Sequence, residues 1–430
     1  MQRNSGSTGS SLPIWVAAGV RSPFARVDTT LAGLDAIELS VPVAKAMVER
    51  LSGNQVDFAI WGAVIPNLAW SNIGREVLLD AGVDPAIPAF TTVMACCTSM
   101  MGAIEAAGII DGKSRNLALV GGVESMSRVQ VGLGHAFSDW LRGFQRAKTL
   151  SDRLGHLAKF TLADVRLWIP KVANRSTGLS MGEHTEITAK QWSISREEQD
   201  ELALASHNNA ALGWSSGFFD DLVVPVAGAS RDNNVRADTS LEKLARLSPV
   251  FDKRSGKGTI TAGNSSPLTD GAAALWVGSE EGMSRLPAST PRVRLVDFEI
   301  SAVDWRQDGL LMAPGRGVPR LLERNGLRYE DVDVWEIHEA FAAQLASHMK
   351  AWADPGYLAK IDVTTGLGPF PRDRINRRGG SVALGHPFGA TGARIMSQAI
   401  KQLAAQPQGS YAIVSVCADG GVGTMALLRK

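Results

Sequence analysis

The stretch VDVWEIHEAFAAQ, Val332 to Gln344, decides the fold class of this 430-residue chain. Its first six residues form a short apolar run typical of a buried strand, and the pattern that follows predicts a helix from about Glu339 to Ala353. The same plan occurs earlier, where the strand-like run Val56 to Val64 is followed by PAFTTVMAC and a helix from about Cys97 to Asp111. Strands that alternate with helices in this way predict an α/β protein with mixed sheets covered by helices on both faces.

Two features align the second half of the sequence with the first. A Val-Asp pair opens the second strand of each half (Val56-Asp57 and Val332-Asp333), and one strand of each ends in Gly-Gly (Gly121-Gly122 and Gly420-Gly421). They predict a duplication, although any two βαβ units share much of this pattern. Residues from about 128 to 248 are dominated by Gly, Ser, Arg and helical segments, which predicts an inserted, mostly helical subdomain.

The composition excludes several classes of protein. Lys and Arg number 44 against 43 Asp and Glu, so the formal charge is +1, whereas a nucleic-acid binder normally carries a basic stripe. The 45% hydrophobic and 20% charged residues are those of a globular protein, and the length predicts roughly two to four domains.

Cysteine content and apolar runs bear on location. Three cysteines cannot build a disulfide framework, which favours a reducing compartment or a chemical role. The first ten residues, MQRNSGSTGS, lack the apolar core of a secretory signal and are expected to form a flexible tail. No run of 18 apolar residues occurs, so we expect a cytoplasmic protein without a membrane span.

The segment Cys96-Cys97-Thr98-Ser99 lies where an apolar run meets a helix of small residues. The dipole and free N–H groups at a helix N-terminus lower a thiol pKa from about 8.5 and stabilise the thiolate. The segment therefore predicts a nucleophile. The alternative is that both cysteines are small core residues.

Three further segments place chemical groups at strand ends or strand-to-helix junctions. His386 lies in the glycine-framed loop GGSVALGHPFGATG, His338 follows a strand in IHEAFAAQ and could donate a hydrogen bond to a carbonyl oxygen, and Cys417 precedes a glycine-rich turn in SVCADGGVG. A purely structural role is the alternative for each. Open α/β sheets keep their sites at such junctions, so the four segments together predict one active site.

The motifs themselves carry a resemblance that covers nearly everything from Ile14 to Leu428. They are GGVESMS at Gly121, TAGNSSPLTDGAAA at Thr261, HEAF at His338, GHPFGATG at Gly385 and CxxGG at Cys417. With them the chain resembles the thiolases, coenzyme A (CoA)-dependent acyltransferases that cleave or form 3-ketoacyl-CoA. The His before Glu-Ala-Phe and the insertion QRAKTLSDRLGHLAKF resemble the thiolase subunit of the fatty-acid β-oxidation trifunctional complex.

This resemblance implies the thiolase fold, with two similar halves that have five-stranded mixed sheets in a layered α/β/α/β/α arrangement, and a helical loop domain inserted between strands. The expected boundaries are 12–127 with 249–285 for the N-terminal half, 128–248 for the loop domain and 286–430 for the C-terminal half. Residues 1–11 are expected to be the flexible tail.

The resemblance also implies site roles. His386 would be the base that activates the nucleophilic cysteine, Cys417 the acid/base for the α-proton or the leaving thiol, and His338, with a water, part of an oxyanion hole. The residues that it implies along the pantetheine arm of CoA are Ser266, Met181, Gly182 and Phe341.

Two adjacent thiols compete for the role of nucleophile. Cys97 gives the C-x-S of the family but places bulky Met100 at the third position after it, where the family has a small residue. Cys96 places Ser99 there, and its spacing to Gly121-Gly122 agrees better with the family. We therefore predict Cys96, with Cys97 as the alternative.

Asp419 departs from the family pattern, which has Gly or Ala two positions after Cys417. The backbone N–H that thiolases use there for an oxyanion hole is retained. The carboxylate is expected to raise the pKa values of the nearby cysteines.

The predicted function is that of a 3-ketoacyl-CoA thiolase, an acetyl-CoA C-acyltransferase that works through an acyl-cysteine with CoA as co-substrate and without metal or other cofactor. The alternatives are a ketoacyl synthase-like condensing enzyme and a non-catalytic acyl-CoA-binding member of the fold. A homodimer or dimer of dimers is expected from the resemblance. The amphipathic segment Gly143 to Phe160 predicts docking of a hydratase/dehydrogenase partner subunit or of a membrane surface, or else packing on its own domain.

Overall fold

The strands at the centre of the molecule are apolar over most of their length. In the computed structural model, which describes residues 12–112, 114–170 and 172–430, every residue of Leu117–Glu124 and of Thr269–Gly278 is buried. Such continuous burial requires cover on both faces of the sheet. The tail predicted at residues 1–11 lies outside the described residues.

Within this described part of the chain there are twelve strands and fifteen α-helices. The strands are β1 (Trp15–Ala17), β2 (Ala25–Arg26), β3 (Phe58–Ala63), β4 (Ala89–Phe90), β5 (Leu117–Glu124), β6 (Gly132–Leu133), β7 (Leu167–Trp168), β8 (Thr269–Gly278), β9 (Arg292–Ala302), β10 (Val332–Ile337), β11 (Tyr411–Ala418) and β12 (Val422–Arg429). The helices are α1 (Ala36–Val48), α2 (Ile73–Asp80), α3 (Thr98–Asp111), α4 (His135–Arg146), α5 (Leu150–Leu157), α6 (Met181–Gln191), α7 (Arg196–Ser215), α8 (Leu241–Ala245), α9 (Glu280–Met283), α10 (Trp305–Asp308), α11 (Ala313–Arg324), α12 (Ala342–Ala353), α13 (Pro355–Lys360), α14 (Ser381–Leu384) and α15 (Thr391–Ala404).

The main sheet is one continuous hydrogen-bonded path in the order β10-β11-β12-β9-β1-β8-β5-β3-β4, with β2 paired to β8. The parallel pairs are β3–β4, β3–β5 and β10–β11, and the other neighbours are antiparallel, so the predicted mixed sheet is confirmed. The antiparallel pair β1–β9 joins the two halves. The C-terminal half has four strands rather than five, because a single parallel bridge between Trp335 and Ile375 stands where β4 pairs with β3 in the first half.

The predicted layering is confirmed. Helices α3 and α15 pack against each other in a core that contacts strands of both halves. Helices α1 and α2 pack on the outer face of the first half, and α11 and α12 pack on the outer face of the second. The N-termini of α3 and α15 therefore meet in the central layer.

The aspartate of the Val-Asp pair has the same structural role in both halves. Asp57 accepts hydrogen bonds from the backbone N–H groups of Asn116 (2.7 Å) and Leu117 (3.0 Å), at the start of β5. Asp333 accepts one from Tyr411 (3.2 Å), at the start of β11. In each half the carboxylate fixes where the neighbouring parallel strand begins.

The match predicted between the two Gly-Gly pairs is wrong. Gly121-Gly122 lies inside β5, whereas Gly420-Gly421 forms the turn after β11, with φ of 89° and 75°. The first pair allows close packing instead. A Cβ on Gly122 would lie 2.0 Å from the carbonyl oxygen of Gly389, a contact between the two halves.

The amphipathic segment at 143–160 is divided between two helices. The end of α4 and the whole of α5 form a hairpin in which Trp140 stacks on Phe144 and on His156, with ring centroids 5.7 Å apart in both cases. No residue of either helix is buried, and Leu150 and Leu154 are exposed. None of the described helices is long and apolar enough to cross a bilayer.

Candidate active site

A tight turn presents Cys96 just before helix α3. Ala95 has φ of 45°, in the left-handed region that non-glycine residues seldom adopt. Thr98 holds the turn, because its hydroxyl accepts from the N–H of Met94 (2.9 Å) and donates to the carbonyl of Ala95 (2.7 Å). Strained backbone of this kind is often found where a reactive side chain must be aimed.

The two neighbouring thiols point to different surroundings. Cys96 Sγ lies 3.1 Å from Nε2 of His386. Cys97 is fully buried, and its Sγ donates to the carbonyl of Val416 at 3.2 Å. The geometry therefore favours Cys96 as the nucleophile and gives Cys97 a place in the central core.

The hydrogen bonds of His386 define its tautomer. Its Nδ1 lies 2.7 Å from the hydroxyl of Thr391, and that hydroxyl donates its single hydrogen to the carbonyl of Pro387 at 2.8 Å. Nδ1 must therefore carry a hydrogen and donate it to Thr391. Nε2 is left with a lone pair directed at the thiol, as a general base requires.

His338 lies beside this pair at the end of β10. Its ring centroid is 4.2 Å from that of His386, and its Nδ1 is 2.8 Å from the hydroxyl of Ser381. Its buried Nε2 has no hydrogen-bond partner among the residues that the structure describes. The two histidines and Cys96 each offer one atom within 4.8 Å of the others. Among the described residues, these three side chains form the group whose His, Cys or carboxylate donor atoms are spaced closely enough to hold a metal ion.

Cys417 completes the set of four predicted residues. It is the penultimate residue of β11 and is buried. Burial, followed by the Cys96 and Cys97 thiols, raises the pKa of Cys417 well above the ordinary value. Such a thiol keeps its proton until a strong base forms beside it.

The prediction of a lowered thiol pKa at the helix N-terminus is wrong. Burial, with smaller contributions from Cys97 and Asp419, raises the pKa of Cys96 well above its ordinary value. Burial, reinforced by the charge of Arg394, lowers the pKa of His386 to about 3. The resting pair is therefore a neutral thiol and a neutral imidazole, because the central layer desolvates both.

The prediction for Asp419 is confirmed for one cysteine. Its charge is among the causes that raise the pKa of Cys96, after burial and Cys97. The carboxylate is held in place by Asn174, whose side-chain amide donates to Oδ1 at 2.8 Å. A residue of the predicted loop domain thus fixes the charge next to the thiol.

A cleft of about 580 Å³ is lined in part by Val382, which belongs to the loop that carries His386. The backbone of Leu268, on its wall, forms a parallel bridge with His386, and the Ser266 hydroxyl donates to the carbonyl of Ala340 at 2.9 Å. The charged residues that line the cleft are Arg26, Arg236, Asp238 and Lys243. Lys243 pairs with Asp238 at 2.7 Å. The charges of Arg26 and Arg236 are then not balanced within the cleft, which therefore carries a net positive charge.

The other predicted substrate-binding residues surround one aromatic side chain of the cleft, Phe251. The Phe341 ring meets it edge to face with centroids 5.7 Å apart. A Cβ on Gly182 would lie 2.3 Å from the Phe251 ring, so any larger residue there would displace that ring. Met181 packs against the same apolar cluster. These residues therefore border the cleft through Phe251.

Several residues of the site were not found from the sequence. Thr391 lies in the GATG motif, and its five-residue spacing from His386 was the available signal. Ser381 and Arg394 lie in and just after the loop of His386, but they act at His338, 43 and 56 residues earlier in the chain, so the sequence gave no signal that connects them to it. Asn174 and Phe251 come from other segments and gave no signal either.

Comparison with known proteins agrees with this geometry. The model of the thiolase N-terminal domain matches residues 14–281, and that of the thiolase C-terminal domain matches residues 289–430. The chain belongs to the thiolase family. It is accordingly an acyltransferase, and the predicted fold class is confirmed.

Two similar proteins carry the same name. The 3-ketoacyl-CoA thiolases of Yersinia enterocolitica (serotype O:8 / biotype 1B) and Yersinia pestis (strain Pestoides F) are each 35% identical over 425 residues, which cover 97% of this chain and 96% of theirs.

Two solved structures are similar over almost the whole chain. The Acat5 thiolase from Ascaris suum in complex with coenzyme A has a TM-score of 0.79 at 27% identity, covering 97% of this chain and all of that one. The acetyl-CoA acetyltransferase of Bacillus anthracis has a TM-score of 0.78 at 30% identity, covering 98% of this chain and all of that one.

Proposed function

We propose that this thiolase is a 3-ketoacyl-CoA thiolase that transfers an acyl group through Cys96. The observation that carries the proposal is the 3.1 Å contact between Cys96 Sγ and the unprotonated Nε2 of His386. A half-buried thiol next to a neutral base can be activated when the substrate arrives. The names of the similar Yersinia proteins support the substrate class.

In the first half-reaction, His386 takes the thiol proton and Cys96 attacks the 3-keto carbon of the substrate. The bond between C2 and C3 breaks, which leaves the acyl group on sulfur and the electron pair on the acetyl-CoA enolate. Cys417 donates its proton to C2 of the enolate and releases acetyl-CoA. The Nε2–H of His338 stabilises the negative charge on the thioester oxygen of that enolate.

In the second half-reaction, the Cys417 thiolate takes the thiol proton of an incoming CoA. The CoA thiolate attacks the acyl-cysteine, and Cys96 leaves as a thiolate that regains its proton from His386. The shortened acyl-CoA is released and all four side chains return to their resting states. Microscopic reversibility lets the same groups run the Claisen condensation.

The cleft beside His386 is the proposed binding site of CoA, with Ser266, Met181, Gly182 and Phe341 along the pantetheine arm. Its positive charge suits the phosphates of CoA, and the Ascaris suum relative was solved in complex with coenzyme A. The proposed chemistry requires no metal or other cofactor.

Domain limits and surroundings belong to the same proposal. We assign 12–127 with 249–285 to the N-terminal half, 128–248 to a loop domain and 286–430 to the C-terminal half, in a cytoplasmic homodimer or dimer of dimers. The exposed apolar side chains of the α4–α5 hairpin support contact with a hydratase/dehydrogenase subunit or a membrane surface. Deleting the hairpin should then change sedimentation with that partner or pelleting with lipid vesicles.

The proposed activity is tested by thiolysis of 3-ketoacyl-CoA across chain lengths, together with intact-mass detection of the acyl-enzyme. We expect an acyl adduct on the peptide that contains Cys96, and protection of Cys96 from iodoacetamide by acetoacetyl-CoA. Turnover without a covalent adduct, or an adduct on Cys97, would contradict the mechanism. Absence of thiolysis at every chain length would contradict the proposed function.

A further inference from the structure

The two active-site histidines are bound by hydroxyl groups that are oriented in opposite ways. The Thr391 hydroxyl donates its hydrogen to the carbonyl of Pro387, so it can only accept a hydrogen bond from Nδ1 of His386. Ser381, which contacts Nδ1 of His338 at 2.8 Å, has a different second partner. The Nη2 atom of Arg394 lies 2.6 Å from the Ser381 hydroxyl oxygen.

The direction of these hydrogen bonds follows from the donor chemistry. A guanidinium has only hydrogens to offer, so Arg394 donates to Ser381. Among the described residues the Ser381 hydroxyl has no other acceptor for its single hydrogen, so it donates that hydrogen to Nδ1 of His338, which accepts it with a lone pair. The hydrogen of the neutral His338 ring is therefore on Nε2, the buried atom that has no hydrogen-bond partner among the described residues.

We propose that Ser381 and Arg394 are positioning residues that hold His338 in the tautomer with hydrogen on Nε2, so that the ring presents an N–H donor to the substrate oxygen. The inference rests on the proposed role of His338 in the oxyanion hole. In the other tautomer a lone pair would face the oxygen as negative charge develops on it, and the contact would be repulsive.

The surroundings of His338 keep its ring neutral, so the tautomer decides which ring nitrogen can donate a hydrogen bond. Burial, with the charges of His386 and Arg394, lowers the pKa of His338 well below its ordinary value. The ring is therefore neutral and has one N–H rather than the two of an imidazolium. Arg394 itself is buried at the N-terminal end of α15, where Gln398 accepts from its Nη1 at 3.1 Å and helps to fix the guanidinium.

The first test is made on the native enzyme and depends on no variant. Nitrogen NMR of protein labelled with 15N-histidine distinguishes a ring nitrogen that bears hydrogen from one that does not, and loss of a signal in His338→Asn assigns the resonance. We expect hydrogen on Nε2 of His338 and on Nδ1 of His386. Hydrogen on Nδ1 of His338 would overturn the inference.

The second test uses two variants of matched size, Ser381→Asn and Ser381→Asp. The Asn amide can donate to Nδ1 and accept from Arg394, which preserves the native direction. The Asp carboxylate can only accept, so it draws the hydrogen of His338 to Nδ1. We expect kcat of S381D to be about 100-fold below that of S381N with similar KM, the scale of losing one oxyanion donor.

Equal kcat values for S381N and S381D would overturn the inference, because a purely structural role of Ser381 depends on size rather than on hydrogen-bond direction. This failure is distinguishable from failure of the proposed function. An active native enzyme that forms an acyl-cysteine, with hydrogen on Nδ1 of His338, contradicts only the positioning role. A native enzyme that forms no acyl-cysteine contradicts the proposed function.

Discussion

In the N-terminal half, helix α3 leads into β5, which pairs in parallel with β3; in the C-terminal half, α15 leads into β11, which pairs in parallel with β10. The ends of these strands differ. β5 ends at Glu124, whose carboxylate accepts from the backbone N–H groups of Val64 (3.1 Å), Ile65 (3.0 Å) and Gly389 (3.2 Å). In the second half, the corresponding strand ends carry His338, just after β10, and Cys417, near the end of β11.

The difference shows that two halves of similar architecture can contribute different chemical groups to one active site. The first half contributes Cys96 and a carboxylate that anchors the loop of His386, while the second half contributes the other three groups of the proposed mechanism. All three histidines outside the 128–248 insertion also lie in the second half, at 338, 348 and 386. Four predictions test this division.

The largest effect is expected from the nucleophile, the one reacting group of the first half. Cys96→Ala should lower kcat roughly 10⁴-fold or more, because the covalent route is lost and only binding and the remaining groups act. Cys97→Ala is the matched control and should keep most of the activity. Steady-state thiolysis and intact-mass analysis check this, and a comparable loss in both variants would break the assignment of Cys96.

A smaller effect is expected from the hydroxyl that orients the base. Thr391→Val removes the acceptor of His386 Nδ1–H, so the ring can protonate Nε2 and lose contact with the thiol. We expect kcat to fall roughly 10²-fold, the lower end for loss of general-base catalysis. Thr391→Ser keeps the hydroxyl and should remain active. A Val variant as active as the Ser variant would show that the second half does not orient its base in this way.

Asp419 tests whether the second half also controls the reactivity of the thiol in the first. Asp419→Asn removes a negative charge that raises the pKa of Cys96 after burial and Cys97. The pH profile of alkylation by iodoacetamide should therefore shift to lower pH, with a rate at fixed pH roughly threefold to tenfold higher. The exposed Asp373→Asn serves as the control. An unchanged profile would contradict the coupling.

The smallest effect concerns stability in acid, to which the buried His348 of the second half contributes. Burial lowers the pKa of His348 from 6.5 to about 4. Between these values the unfolded chain binds a proton that the folded chain does not, so stability falls as the pH falls from 6.5 towards 4.

His348→Gln should reduce this loss. Between pH 7 and pH 5 the free energy of unfolding of the variant should fall by about 2 kcal/mol less than that of the native protein, as measured by urea denaturation. The exposed His135→Gln should leave the loss unchanged. The same dependence in all three proteins would show that His348 is not protonated on unfolding.

Much of the site could be predicted because local motifs carry it. Cys96, His338, His386 and Cys417 each lie in a short segment with its own glycines or strand-to-helix junction, and the fold brings these segments together. The repeat was visible in Asp57 and Asp333, because each fixes a strand start next to it in space. The two Gly-Gly pairs gave a wrong match between the halves, because glycine is used both where backbones pack closely and where φ is positive.

The rest depends on contacts between distant segments. Ser381 and Arg394 lie 43 and 56 residues after His338, so no local pattern connects them. The pKa of Cys96 was predicted in the wrong direction because a helix terminus is visible in a sequence, whereas the degree of burial in the central layer is not. The missing fifth strand of the second half likewise depends on how one residue, Ile375, meets β10.

The pairing of β1 with β9 has a consequence for self-association. Each strand would otherwise expose a row of unpaired N–H and C=O groups, which recruit other chains and promote aggregation. In the described part of the chain, the two ends of the main hydrogen-bonded path are β4, two residues long, and β10, which Ile375 partly covers. Two separately produced halves would expose β1 and β9, and we expect them to aggregate alone and to recombine when mixed.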